Sequence, residues 1–254
     1  MFSIAALVPT PPVLVPELCG GVVDTVGTDD VDPRVALRGA VLATVRTFAA
    51  VAEQWLVIGT GAVGATLGPE TVGTFRGFGA DIRVGFSAAA VTGAAGADPE
   101  LPLGALVAGW LRGQVAPDAT AVAHIVPADA SPRHCQELGA KLRVELDGTA
   151  VPCGVLVVAD GAATLSATAP GYFDERARTV QDGLDHALGT GDLAWLRTLD
   201  PELCAALALA GRPAYQVLAG LFRADPVVET YYRDAPFGVG YHVSLWRRAE
   251  GDVS

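Results

Sequence analysis

Lysine is nearly absent from this 254-residue chain: Lys141 is the one lysine among 17 basic residues, and 28 Asp and Glu leave a formal net charge of -11. A surface of that sign repels phosphate backbones and anionic headgroups, and no basic stripe interrupts it. Nucleic-acid binding and docking on anionic membranes are therefore not expected. Cysteine is scarce too. Cys19, Cys135, Cys153 and Cys204 lie far apart with no C-x-x-C pair, which argues against a disulfide framework or a zinc knuckle and for reduced thiols in the core. Long hydrophobic runs are missing: none reaches the ~18 uninterrupted apolar residues that a membrane span needs. The first nineteen residues carry Glu17 as their one charge, but they lack a basic segment and are broken by four prolines before residue 17. They do not read as a secretory leader, and a cytoplasmic location is expected.

Histidine is sparse and scattered. His124, His134, His186 and His242 form no H-x-H, H-x-x-x-H or H-E-x-x-H spacing, so a zincin-type site is not expected. The nucleophile elbow G-x-S-x-G and the phosphate loop G-x-x-x-x-G-K-[ST] are both absent.

The chain is 51% apolar, with 30 glycines and 17 prolines. Short β-branched runs alternate with longer helical stretches, the pattern of an α/β fold with a central mixed sheet flanked by helices. Strands are expected over Phe2 to Val8, Trp55 to Ile58, Asp81 to Phe86, Ala121 to Val126 and Val155 to Val158. A closing hairpin is read from Val227 to Tyr232 and Val239 to Trp246. Asp32-Pro33 and Ser131-Pro132 each pair a capping side chain with proline in the first helical turn. The first of these helices presents Val35, Leu42, Val45, Phe48, Ala49 and Ala52 as its apolar face. Further helices are expected over Leu101 to Leu111, Phe173 to Leu188, Leu193 to Leu199, Pro201 to Leu209 and Pro213 to Phe222. No repeat or linker divides residues 1–254, so one domain is expected. A mean hydropathy of +0.38 with 18% charged residues also points to apolar surface buried between copies, most simply in a dimer.

In open α/β sheets, ligands bind where loops leave the carboxyl ends of strands. Four such loops stand out: 9–13, 59–64, 127–131 and 160–165. Gly59-Thr60-Gly61-Ala62-Val63-Gly64 matches G-x-G-x-x-G, but a dinucleotide site needs a helix to open at that turn. Gly68, Pro69, Gly73 and Gly77 interrupt the following stretch, so a plain glycine-rich loop is the better reading.

Four stretches taken in order carry a family resemblance: the proline-rich run from Ala5 to Glu17, the strand and loop Trp55 to Gly61, the turn Ala159-Asp160-Gly161-Ala162-Ala163, and the tail Ala235 to Tyr241. Together they resemble the LigB-type catalytic subunit of class III extradiol ring-cleavage dioxygenases, a superfamily that includes Memo-like proteins. The resemblance implies a LigB-like α/β domain in which two histidines and a carboxylate hold Fe(II) for a catechol and dioxygen. It also places Thr10 where the first iron-binding histidine belongs, and Ile58-Gly59-Thr60-Gly61 where the second does. The carboxylate position falls near Ala210 to Leu218, where the chain offers Gln216, and the acid/base histidine position falls on Ala163. Asp160 and Gly161 are kept.

Threonine, glycine and glutamine do not replace imidazole or carboxylate as Fe(II) ligands. Ring cleavage is therefore not expected, and neither is a bound metal. The cleft that remains is lined by Thr10, Thr60, Asp160 and Thr164, with Arg212, Tyr241 and His242 as further candidates from the C-terminal segments. Arg212 reads equally well as a surface residue and Tyr241 as core. Asp160 either orients a ligand or caps a neighbouring turn. Two readings follow: a scaffold whose cleft binds a small molecule or partner, and, as the alternative, a metal-dependent oxygenase whose metal is held by Asp160 with His124 or His242.

Overall fold

Apolar runs too continuous to face water on either side set the centre of the fold. The computed structural model describes residues 1–20 and 32–249; residues 21–31 and 250–254 of the expected domain lie outside the described residues. In chain order the elements are β1 (Phe2–Val8), α1 (Pro33–Ala49), β2 (Gln54–Gly61), β3 (Ala65–Leu67), β4 (Val72–Thr74), β5 (Arg83–Gly85), α2 (Ala88–Thr92), α3 (Leu103–Val115) and β6 (Thr120–Pro127). They continue as α4 (Pro132–Asp147), β7 (Cys153–Val158), α5 (Arg176–Thr190), α6 (Leu193–Arg197), α7 (Pro201–Ala206), α8 (Arg212–Leu221), β8 (Val227–Asp234) and β9 (Tyr241–Arg247).

Seven strands form one mixed sheet in the order β3-β6-β2-β7-β1-β9-β8. The central four, β6, β2, β7 and β1, run parallel, with Leu7 opposite Val157 and Ile58 opposite both Val157 and His124. Strands β3, β9 and β8 are antiparallel additions at the two flanks. Parallel strands are buried on both faces, which is why β7 is buried at every residue. On one face Ala6, Val57 and Leu156 pack with Val41, Phe48 and Leu106 of α1 and α3. On the other, Leu7, Ile58 and Val157 pack with residues of α4, α5 and α8, among them Leu142, Leu184 and Val217. Gly154 shows how a strand glycine serves this packing: a Cβ there would stand 2.4 Å from the Phe48 ring, which instead meets Trp55 edge-on at 5.1 Å. Among the described residues no helix is long and apolar enough to cross a membrane.

Both proline-led caps form. Asp32 accepts from the Arg34 amide and Ser131 from the His134 amide. The buried stripe of α1 is Leu37, Val41, Thr44, Val45 and Phe48, while Val35, Leu42 and Ala49 are half-buried. The stripe is therefore rotated from the expected one, because α3 and the sheet both press on this helix. The expected strand from Asp81 does not join the main sheet. Arg83–Gly85 pairs antiparallel with Val72–Thr74 as a separate ribbon, and Asp81 serves its turn by accepting from Thr74 Oγ1 at 2.8 Å. The stretch read as a glycine-rich loop holds two short strands, β3 and β4. The element after Gly64 is thus a strand, and it supplies no helix N-terminus for a pyrophosphate. Helix α2, capped by Ser87, lies where no element was expected; five residues of Ala, Val and Thr carry too little periodicity to be seen.

Candidate functional site at the carboxyl edge of the sheet

Parallel strands put their carboxyl ends on one edge, so the segments after β1, β2, β6 and β7 leave side by side. Thr10 and Asp160, 150 residues apart in sequence, meet there. The Thr10 amide donates to Asp160 Oδ1 at 2.7 Å, and the Thr10 hydroxyl donates to Oδ2. The carboxylate thus caps the turn after β1 and ties the ends of two adjacent strands. Burial pushes the Asp160 carboxyl up to about 6, against the lowering pull of the two Thr10 bonds. Thr60 stands on the same edge in β2, opposite Val126, and is half-buried.

The loop after β7 is stitched to the turn before β9. Gly161 N–H donates to Gly240 O at 2.8 Å, Gly240 N–H to Ala162 O at 3.0 Å, and Leu165 N–H to Gly238 O at 3.1 Å. These glycines leave room for Gln181 of α5, since a Cβ on Gly161 or Gly240 would come within 2.3 Å of its amide group. Gln181 accepts from Ala162 N–H at 2.9 Å and donates to Asp185 Oδ1 at 2.9 Å. Tyr241 opens β9, is buried, and packs 6.3 Å from the Phe237 ring. Burial raises its phenol, and the charge of Asp160 adds to the rise.

The remaining candidates are turned to other partners. Thr164 is buried and donates to Leu207 O at 3.3 Å. Arg212 is buried at the start of α8, where it donates to the Ala128 and Ala130 carbonyls, each at 2.8 Å, and to Gln216 Oε1 at 2.8 Å. It holds the 127–131 loop in place. The ring of His242 lies on the other face of β9 from Tyr241, with Nε2 3.4 Å from Thr230 Oγ1 and Nδ1 3.7 Å from Asp185 Oδ1. His124 lines a 340 Å³ cavity between the sheet and α4, beside Leu142 and Glu145, and burial lowers its ring below the ordinary value.

Sequence reasoning missed Gln181, Asp185 and Tyr215, whose hydroxyl donates to Ala159 O at 3.1 Å. The available signal was a glutamine and a tyrosine within otherwise apolar helical stripes.

The residues at the positions that the resemblance assigns to iron do not fit Fe(II). Thr10 is engaged with Asp160. The Gln216 oxygen accepts from Arg212, and its amide donates to Leu199 O at 3.0 Å. Among the described residues no three His, Cys, Asp or Glu side chains are grouped to hold a metal ion. What the edge does offer is a carboxyl that burial pushes up to about 6, held by the Thr10 hydroxyl, with Thr60 on the same edge.

No protein-family model matches the chain, and no curated protein matches it. A solved structure described as the uncharacterized protein JW3007 from Escherichia coli K12 is similar at a TM-score of 0.56, with 12% identity over 96% of this chain and 99% of that one. The two share a fold.

Proposed function

We propose that this chain binds a small hydroxyl-bearing molecule at the carboxyl edge of its sheet, on an extradiol-dioxygenase-like scaffold without ring-cleavage activity of its own. The observation that carries this reading is Asp160. Its two oxygens each accept one bond from Thr10, and a carboxylate oxygen accommodates two. One lone pair on each oxygen is left for a ligand hydroxyl, with Thr60 on the same edge. The acidic composition and four free thiols fit a cytoplasmic protein, and its hydropathy fits a homodimer.

Two measurements test the reading. With added Fe(II) and protocatechuate, an oxygen electrode is expected to record no uptake above the protein-free rate. Equilibrium dialysis against catechol, protocatechuate and glycerol is expected to give saturable binding of at least one, weakened about tenfold or more in Asp160→Asn, a loss of about 1.4 kcal/mol. Oxygen uptake with turnover, or no saturable binding by any of the three, overturns the proposal.

A further inference from the structure

The 340 Å³ cavity beside His124 lies at the opposite edge of the sheet from Asp160. It is bounded by Gln54, Thr120 and Cys153, the first residues of β2, β6 and β7, and by the C-terminal turns of α4. We propose that it binds a small uncharged molecule with an apolar, ring-sized body and a hydroxyl group.

Its walls are largely apolar: Leu56, Val122, Leu142 and Leu146 line it. Its volume falls within the ~300–1,000 Å³ of small-molecule sites. Two of its polar groups are turned to backbone, since the Thr149 hydroxyl donates to Leu146 O at 2.8 Å and the Cys153 thiol to Val151 O at 3.3 Å. His124 differs. It is half-buried, its Nδ1 lies 3.4 Å from Thr66 Oγ1 of β3, and its Nε2 has no hydrogen-bond partner among the described residues. Burial lowers the ring below its ordinary value, so it is neutral at pH 7. A neutral imidazole carries one donor and one acceptor in either tautomer. The Thr66 hydroxyl serves whichever role Nδ1 takes, Nε2 takes the other, and a ligand hydroxyl answers both. Charge decides the rest. Among the described residues that line the cavity, Glu145 is the one formal charge. Its side chain is 55% exposed and stands 3.7 Å from Lys141 Nζ, which puts that charge at the water-facing mouth. An anion would find no cationic partner inside, and a cation would be desolvated against apolar walls.

The test follows the Val122 and Leu142 methyl signals of the full chain by NMR, with benzyl alcohol as the probe. Benzyl alcohol is expected to shift both saturably. Benzoate and benzylammonium match its shape but carry charge, and they are expected to bind about tenfold more weakly or not at all. His124→Phe keeps a flat ring in place and removes both nitrogens. It is expected to weaken benzyl alcohol about threefold or more, the effect of one net hydrogen bond, and to leave toluene unchanged. Thr120 is exposed at the first position of β6, so the fold tolerates Thr120→Trp; the indole fills the cavity and is expected to abolish binding of both. No saturable shift with benzyl alcohol, equal affinity for either charged analogue, no selective loss of benzyl alcohol in His124→Phe, or undiminished binding in Thr120→Trp overturns the proposal.

Discussion

Asp160→Asn is expected to raise stability above pH 7 by up to about 3 kcal/mol relative to the wild-type chain, and to leave it nearly unchanged below pH 4. The cause is the burial that pushes the Asp160 carboxyl from 3.8 up to about 6. A carboxyl raised on folding favours the protonated folded state. Its contribution is complete below the unfolded value near 4 and is lost as pH rises through about 6. Asparagine has the same shape and does not ionise. Its oxygen accepts from the Thr10 amide and its NH₂ donates to the Thr10 hydroxyl, so both links between the strand ends survive. Other carboxylates slope the opposite way: the Arg176 guanidinium and amide hold Asp174 down at about 2, and hydrogen bonds from Arg34 lower Asp32. These are common to both proteins and cancel in the difference. Urea unfolding of the pair at pH 4, 6 and 8 reads the effect; parallel curves at all three would refute it.

The second large effect lies far from the site. Helices α4 and α8 cross with backbone against backbone, where a Cβ on Gly139 would stand 2.2 Å from Val217 O and one on Gly220 would stand 2.4 Å from Gln136 O. Gly139→Ala gains up to about 1 kcal/mol of helix propensity, but it forces the two helices apart at rigid atoms, and overpacking of that kind costs typically ~1–3 kcal/mol and sometimes more. The Arg143 guanidinium, which donates to Leu221 O at 3.0 Å and sits 5.3 Å over the Phe2 ring, moves with them. A net destabilisation of about 2 kcal/mol is expected, seen as a fall in melting temperature of ~4–8 °C for a chain of this size. Gly113→Ala in α3 is the counterpart. Nothing lies within 4 Å of its Cβ position, so the same substitution there is expected to stabilise. Equal signs at the two positions would contradict the packing argument.

The parallel core was legible because strands buried on both faces need nearly continuous apolar residues, and β1, β2 and β7 carry them. Helices α1 and α4 were legible at their starts, where a capping side chain precedes proline. The short elements β3, β4 and α2 were not, since three to five residues are too few to repeat a pattern; β5 lay within the strand expected over Asp81 to Phe86, but its pairing outside the main sheet left no trace in the sequence. At the edge, Thr10 and Asp160 could be placed from sequence alone because both follow apolar runs directly. The roles of Arg212 and His242 could not. Arg212 reaches carbonyls 82 and 84 residues away, and His242 meets a carboxylate on a helix packed behind its strand, contacts that depend on tertiary placement and leave no local trace. Gln181 was hidden for a related reason: its position on α5 continues an apolar stripe, and only the glycines opposite it, Gly161 and Gly240, mark the space its amide occupies.

Everything proposed for the carboxyl edge turns on Asp160 being a half-buried carboxyl held by Thr10, and its titration reads that directly. Following the Asp160 side-chain carbonyl carbon by NMR from pH 3 to pH 9 is expected to give a midpoint near 6, moving higher in Thr10→Val, which removes the hydroxyl bond that lowers it. A midpoint near 3.8 in the wild-type chain, unmoved by Thr10→Val, would contradict the account.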